Sequence, residues 1–179
     1  MHALFRTTKD VDFQPNTVAY TSCLNACAFT QAVEERETAL NFLHQVMVEL
    51  ENSKYCEPNN RSYATYLKGL LNLMPFGSER DEFASNVFDN CCKRGQVDYS
   101  VLENLRNASL NVYKERLGRV STVRTSKLHL TDLPADWSSN VKNPFRRQRF
   151  PSGYSSGAQG VGLEEGLEAS SEQAEGNKS

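Results

Sequence analysis

Two stretches decide how this chain folds: Pro15-Asn16-Thr17-Val18-Ala19-Tyr20-Thr21 and Pro58-Asn59-Asn60-Arg61-Ser62-Tyr63-Ala64. Each carries Pro-Asn with a Tyr four residues after the Asn, and the two Asn stand 43 residues apart. A weaker third copy, Gly95-Gln96-Val97-Asp98, puts Asp98 39 residues beyond Asn59. Asn and Asp favour the N-cap of a helix, where the side-chain oxygen accepts from a backbone N–H that has no partner within the helix. A cap that returns at a near-constant interval marks stacked helical hairpins.

The flanking segments supply those helices. Residues 17–30 place Tyr20, Leu24, Cys27 and Ala28 at helical spacing, with Asn16 or Thr17 as cap. Residues 34–52 carry Ala39, Leu40, Leu43, Val46, Met47 and Leu50 as one apolar stripe. Glu34, Glu35 and Glu37 suit the positive end of that helix's dipole. The pattern restarts at 60–74 with Tyr63, Leu67, Leu70, Leu71 and Met74, then breaks at Pro75-Phe76-Gly77. Ser78 followed by Asp81 resembles a capping pair. Residues 79–94 bury Phe83, Ala84, Val87, Phe88 and Cys91, and Gly95 provides a C-terminal stop. A fifth helix is expected from Asp98 to Gly118 on Val101, Leu102, Leu105, Ala108 and Val112. Strand-like alternation is weak and confined to 120–130.

The expected fold is therefore all-α, an α-solenoid of antiparallel helix-turn-helix repeats with a disordered C-terminal tail. Residues 17–59 and 60–98 form two repeats, and 99–118 a partial or capping helix. Residues 119–150 are a basic extension holding Arg119, Arg124, Lys127, Lys142, Arg146, Arg147 and Arg149 against Asp132 and Asp136. Residues 151–179, rich in Gly, Ser and Glu, bury too little apolar surface to offset chain entropy. Residues 1–16 read as the end of a preceding, truncated repeat, which makes the chain the C-terminal part of a longer array.

The chain has 20 bases and 22 acids. The tail from Pro151 holds five of those acids and Lys178, which leaves 19 bases and 17 acids in residues 1–150. The helical part is thus slightly basic. Five cysteines and three histidines stand at spacings that suit neither zinc nor a disulfide framework. The cysteines read as small buried apolar residues of a reducing compartment, and His44 as a helix residue with no ligand role. No run of 18 apolar residues exists, so no membrane span is expected. The N-terminal residues lack the apolar core of a secretory signal and the Arg/Ser richness of a transit peptide. No nucleophile–base pair, paired carboxylates or Gly-rich phosphate loop is present, since Gly153, Gly157, Gly160 and Gly162 follow no strand. The expectation is a protein that is no enzyme, with no cofactor and no small-molecule substrate.

The run Val18-Ala19-Tyr20-Thr21-Ser22-Cys23-Leu24-Asn25-Ala26-Cys27, with Ala39-Leu40 and the Leu43–Met47 stripe after it, resembles the pentatricopeptide repeat. The first helix of that repeat opens on a β-branched residue, Tyr and a short polar residue, and the unit closes on Pro-Asp or Pro-Asn. The resemblance covers about residues 1–112. The units here are longer than is usual in that family, with extra residues at 29–36 or 52–57 and at 75–80.

What the resemblance implies is single-stranded RNA laid along the first helices, one base per repeat. Val18 and Arg61 would wedge against bases or meet phosphate. Thr21 would read a base edge, and Ala64, lacking a polar group, would be a spacer. Asn59 and Asp98, with Asn16 closing the preceding unit, would help to tell bases apart; in that family Thr paired with Asn tends toward adenine. Tyr20 and Tyr63 are expected to pack between hairpins. Organelle RNA processing, stability or translation follows, in mitochondrion or plastid, with other proteins as further partners. Arg146, Arg147 and Arg149, interleaved with Phe145 and Phe150, would add phosphate contacts or serve as a linker. Relatives that carry an appended metallonuclease or deaminase have motifs not seen after Gly118. Two other readings compete: a peptide-binding solenoid like the tetratricopeptide repeats, and a fragment with too few repeats to bind.

Overall fold

In a computed structural model, the structure describes residues 14–122 and 128–142. The described residues hold six α-helices and no strand: α1 (Thr17–Ala28), α2 (Arg36–Glu51), α3 (Asn60–Leu73), α4 (Ser78–Lys93), α5 (Tyr99–Ala108) and α6 (Leu110–Leu117). A 3-10 turn, Val33–Glu35, leads into α2, and further 3-10 turns lie at Gly118–Thr122, Leu130–Asp132 and Ala135–Ser138.

The recurring cap is the local cause of the repeat. Asn16, Asn59 and Asp98 each sit in extended backbone and accept from the backbone N–H three residues on, at Ala19, Ser62 and Val101. Asn59 adds the reciprocal bond, with Ser62 Oγ accepting from its backbone N–H. Each cap satisfies one orphan donor and is worth roughly 1 kcal/mol.

Packing follows the same register. α3 packs on both α1 and α5, α2 bridges α1 and α3, and α4 lies against α3, α5 and α6. α1 and α3 run parallel, because both pairs of ends are tied. At the start, Thr17 Oγ1 donates to Glu57 O at 2.8 Å. At the finish, Asn72 Nδ2 donates to Ala28 O at 2.7 Å. The equivalent tie between α3 and α5 runs from the Asn60 backbone N–H to Gln96 Oε1 at 3.1 Å, joined by Asn60 Nδ2 to Asp98 Oδ2 at 2.7 Å. Glu57 and Gln96 both stand two residues before a cap, so the interval first read in the sequence is also the interval of the contacts.

The core lies between the two rows: Leu24, Leu43, Leu50, Tyr63, Leu67, Leu70, Phe88, Leu102 and Leu105 are fully buried. Gly69 has a packing reason to be glycine, since a Cβ there would come within 2.6 Å of Leu43 Cδ2. Glu51 joins the rows by polar contacts, accepting from Tyr63 OH at 3.4 Å and from Asn90 Nδ2 at 3.2 Å.

Three sequence expectations need correction. The single helix from Asp98 to Gly118 is two helices. Ser109, at φ −147° and ψ 102°, ends α5 and caps α6 by accepting from Val112 N–H through Oγ. The apolar spacing continues through this break, so periodicity alone hides it. Ser78 is not a cap but the first residue of α4, and Gly77 holds the cap position with no side-chain bond. The part of the basic extension that is described, 128–142, is packed structure: Leu128, Leu130 and Val141 are buried and Trp137 stands edge-on to Phe88 at 5.5 Å. This strap is tied to the turn after α4 by Val97 N–H to Trp137 O at 2.8 Å and Asn140 N–H to Gly95 O at 2.9 Å.

Gly95 itself ends α4 as expected. Its φ is +64°, and N–H groups of Gly95 and Gln96 close back on Cys92 O and Cys91 O, the doubly bonded left-handed helix end. The segments 1–13 and 143–179, and with them the expected truncated repeat, the Arg146–Arg149 cluster and the disordered tail, lie outside the described residues.

Candidate nucleic-acid interface

The residues singled out by the sequence fall into two groups. Val18 and Arg61, each two residues past a cap, are exposed, Val18 by 72 %. Thr21 and Ala64, each five past a cap, are buried. Thr21 is buried against the next helix of the row, where it meets Ser62, and Ala64 is part of the apolar core.

Thr21 Oγ1 donates to Thr17 O at 2.7 Å and stands 2.8 Å from Ser62 Oγ. A hydroxyl has one proton. That proton goes to Thr17 O, and Ser62 Oγ also stands 3.2 Å from Asn59 Oδ1, so Thr21 Oγ1 is held inside a buried chain of hydroxyls and has little to offer a base. Asn16, Asn59 and Asp98 spend an oxygen on their caps, and Asp98 also accepts from Asn60. The structure brings these three residues to one end of the row, as helix starts, and links Asn59 to Thr21 through Ser62 Oγ.

Sequence reasoning missed a strip on the row itself. On α1, Val18, Ser22, Asn25 and Phe29 are exposed. Adding 43 gives Arg61, Thr65, Lys68 and Asn72 on α3, all exposed or half-buried. Counted from its own cap, α5 continues the strip with Ser100, Asn104 and Asn107. The signal was available: these positions recur at three- and four-residue spacing opposite the apolar stripe of each helix.

The two rows differ in charge. α1 carries none, α3 carries Arg61 and Lys68, and α5 carries Glu103 and Arg106. Against them, α2 has Arg36 with Glu37, Glu49 and Glu51, while α4 has Arg80 and Lys93 with Glu79, Asp81, Glu82 and Asp89. The net positive charge of the first helices thus sits on α3, α2 and α4 are each net acidic, and α6 carries Lys114 and Arg116 with Glu115.

Buried groups behind the strip are held neutral. Burial, then Glu51, pushes the Tyr63 and Tyr66 hydroxyls well above the usual tyrosine range. Burial likewise raises the Cys27 and Cys91 thiols, and takes Cys92 up to about 12. Those thiols stay protonated near neutral pH, the form that is a poor nucleophile and a poor ligand. His44 is pulled below its ordinary value by burial beside Phe83, and its Nδ1 lies 2.6 Å from Tyr66 OH. Among the described residues no group of three or more His, Cys, Asp or Glu is placed to hold a metal ion, and no helix is long and apolar enough to cross a membrane.

Comparison of the chain with family models, with curated proteins and with solved structures gives no match.

Proposed function

We propose that the three helix pairs, α1–α2, α3–α4 and α5–α6, make a short α-solenoid that holds single-stranded RNA along α1, α3 and α5. The observation that carries this reading is the strip along α1, α3 and α5: Arg61 and Lys68 lie on it with Ser22, Asn25, Thr65, Asn104 and Asn107, and Glu103 is the one acid of these three helices, while α2 and α4 each hold more acids than bases. A polyanion with hydrogen-bonding edges is the partner that complements such a row. Neighbouring packed helices are spaced about 8–10 Å apart, against about 3.4 Å between stacked nucleotides. One nucleotide per helix thus needs an extended strand with unstacked bases, which a duplex does not offer. A role in organelle transcript processing, stability or translation rests on the pentatricopeptide resemblance.

The test is fluorescence anisotropy of the full chain with a labelled single-stranded RNA and with its duplex, at two salt concentrations. Two phosphate contacts, at Arg61 and Lys68, give a log–log salt slope of about −1.4 for a single strand, so affinity falls about sevenfold from 50 to 200 mM. Equal affinity for duplex, or none for the single strand, sinks the reading. Salt-independent capture of unfolded peptides in the same format points to the protein-binding alternative.

A further inference from the structure

We infer that the row nine residues past each cap, Asn25, Lys68 and Asn107, is the one that faces the bases, with discrimination at α1 and α5 and none at α3. The inference rests on the RNA reading above and names the residues that give it specificity. It follows from comparing the hydrogen-bonding capacity left at each register of the three parallel positions.

Two residues past the cap stand Val18, Arg61 and Ser100, of which Val18 has no polar group. Five past stand Thr21, with its proton spent, the apolar Ala64, and Glu103, an exposed acid that repels phosphate. Six past, Ser22 donates its only proton to Val18 O at 2.9 Å and Asn104 gives one amide proton to Ser100 O at 2.8 Å, which leaves only the half-buried Thr65 unspent. Thirteen past, Phe29 is apolar, Asn72 donates to Ala28 O and Asn111 to Asp81 Oδ2. Nine past, Asn25 and Asn107 are exposed and Lys68 half-buried. No side chain of the three makes a hydrogen bond or ion pair among the described residues. This is the one register where every side chain is polar and unspent.

The chemistry differs along the row. Asn25 and Asn107 each offer a donor and an acceptor side by side, the pattern that pairs with a base edge in a bidentate way. Lys68 is a point charge with donors only, which suits phosphate and tells bases apart poorly. Arg61 lies seven residues, about 10 Å, before Lys68 on the same face of α3. The middle helix thus offers two cations to the backbone and no amide to a base. The site reads two bases separated by a nucleotide it leaves unread.

The experiment measures the affinity of the full chain for twelve-nucleotide oligomers of A, C and U by fluorescence anisotropy. The wild-type chain should separate its best and worst homopolymers by about tenfold or more, the value of a good bidentate contact. Replacing Asn25→Ala and Asn107→Ala together should bring the three affinities together. Thr21→Val should leave the ratio as it was, and Lys68→Ala should weaken all three alike. A preference that survives the double Asn substitution, or that Thr21→Val abolishes, overturns the inference. Equal wild-type affinity for all three overturns it too while leaving the RNA reading in place. Absence of wild-type binding to every oligomer removes the RNA reading itself, and this inference with it.

Discussion

Gly95→Ala tests whether the strap 128–142 is an integral part of the fold, and its cost can be worked from two parts. The first is conformational: Gly95 has φ +64°, and a side chain in that region costs roughly 1–2 kcal/mol. The second is contact. A Cβ at Gly95 would meet Ser139 Oγ at 2.3 Å, Asp136 O at 3.0 Å and Asn140 N at 3.2 Å. Two of these are backbone atoms, so the strap must move, and the bonds Val97 N–H to Trp137 O and Asn140 N–H to Gly95 O are lost. Each is worth about 1 kcal/mol, for a total of roughly 3–4 kcal/mol. Gly118→Ala, with nothing within 4 Å of the added Cβ, bears a conformational cost alone. Its φ +54° with ψ −125° is closed to side chains, which makes that cost larger than the one at Gly95. The two substitutions are therefore told apart by the strap's response and not by their size. Urea unfolding followed by circular dichroism gives both costs. Trp137 is the chain's single tryptophan and reports the strap directly through its emission. A cost of only about 1–2 kcal/mol in Gly95→Ala, with Trp137 emission unchanged, would refute the packing argument.

Two further predictions come from the buried polar groups. His44 has its pKa lowered in the folded chain, mainly by burial. The unfolded chain therefore binds more protons below about pH 6.5, so this contribution is present above that pH and is lost as pH falls through the lower folded value. His44→Gln should flatten the thermal stability profile between pH 7.5 and 5.5; an unchanged profile refutes the assignment. Arg80 is 2 % exposed, donates through Nη1 to Met74 O at 3.1 Å and stacks on Phe76 at 3.7 Å, yet Nε and Nη2 are buried with no partner. Arg80→Met removes that desolvation cost together with one hydrogen bond, so stability should stay within about 1 kcal/mol of wild type or rise. A loss above about 2 kcal/mol in chemical denaturation argues against it.

How much of this was legible in the sequence depends on how local the cause is. The caps Asn16, Asn59 and Asp98 act on a backbone three residues away, and all three helix starts were legible in the sequence. The stop at Gly95 is local in the same sense. Ser109 was missed because its competing signal, the apolar run Leu105, Ala108 and Val112, keeps helical spacing across a backbone break. The strap was missed because Leu128, Leu130, Trp137 and Val141 follow no helix or strand period, and only contact with α4 gives them a role. The roles of Thr21 and Ala64 were assigned by resemblance, and the exposure of Thr21 depends on how closely the next helix approaches. That distance is set by Ser62 and by the ties at Thr17 and Asn72, residues 40 or more positions away from their partners. The net positive charge of α3 was hidden by the near-neutral total and emerges only once charges are assigned to individual helices.

The most direct measurement is hydrogen–deuterium exchange of the full chain with and without a single-stranded RNA. Added protection is expected on residues 17–28, 60–73 and 99–108, the helices that carry the strip with Arg61 and Lys68. Protection confined to residues 36–51 and 78–93, the net acidic α2 and α4, or no change anywhere at saturating RNA, would contradict the RNA reading.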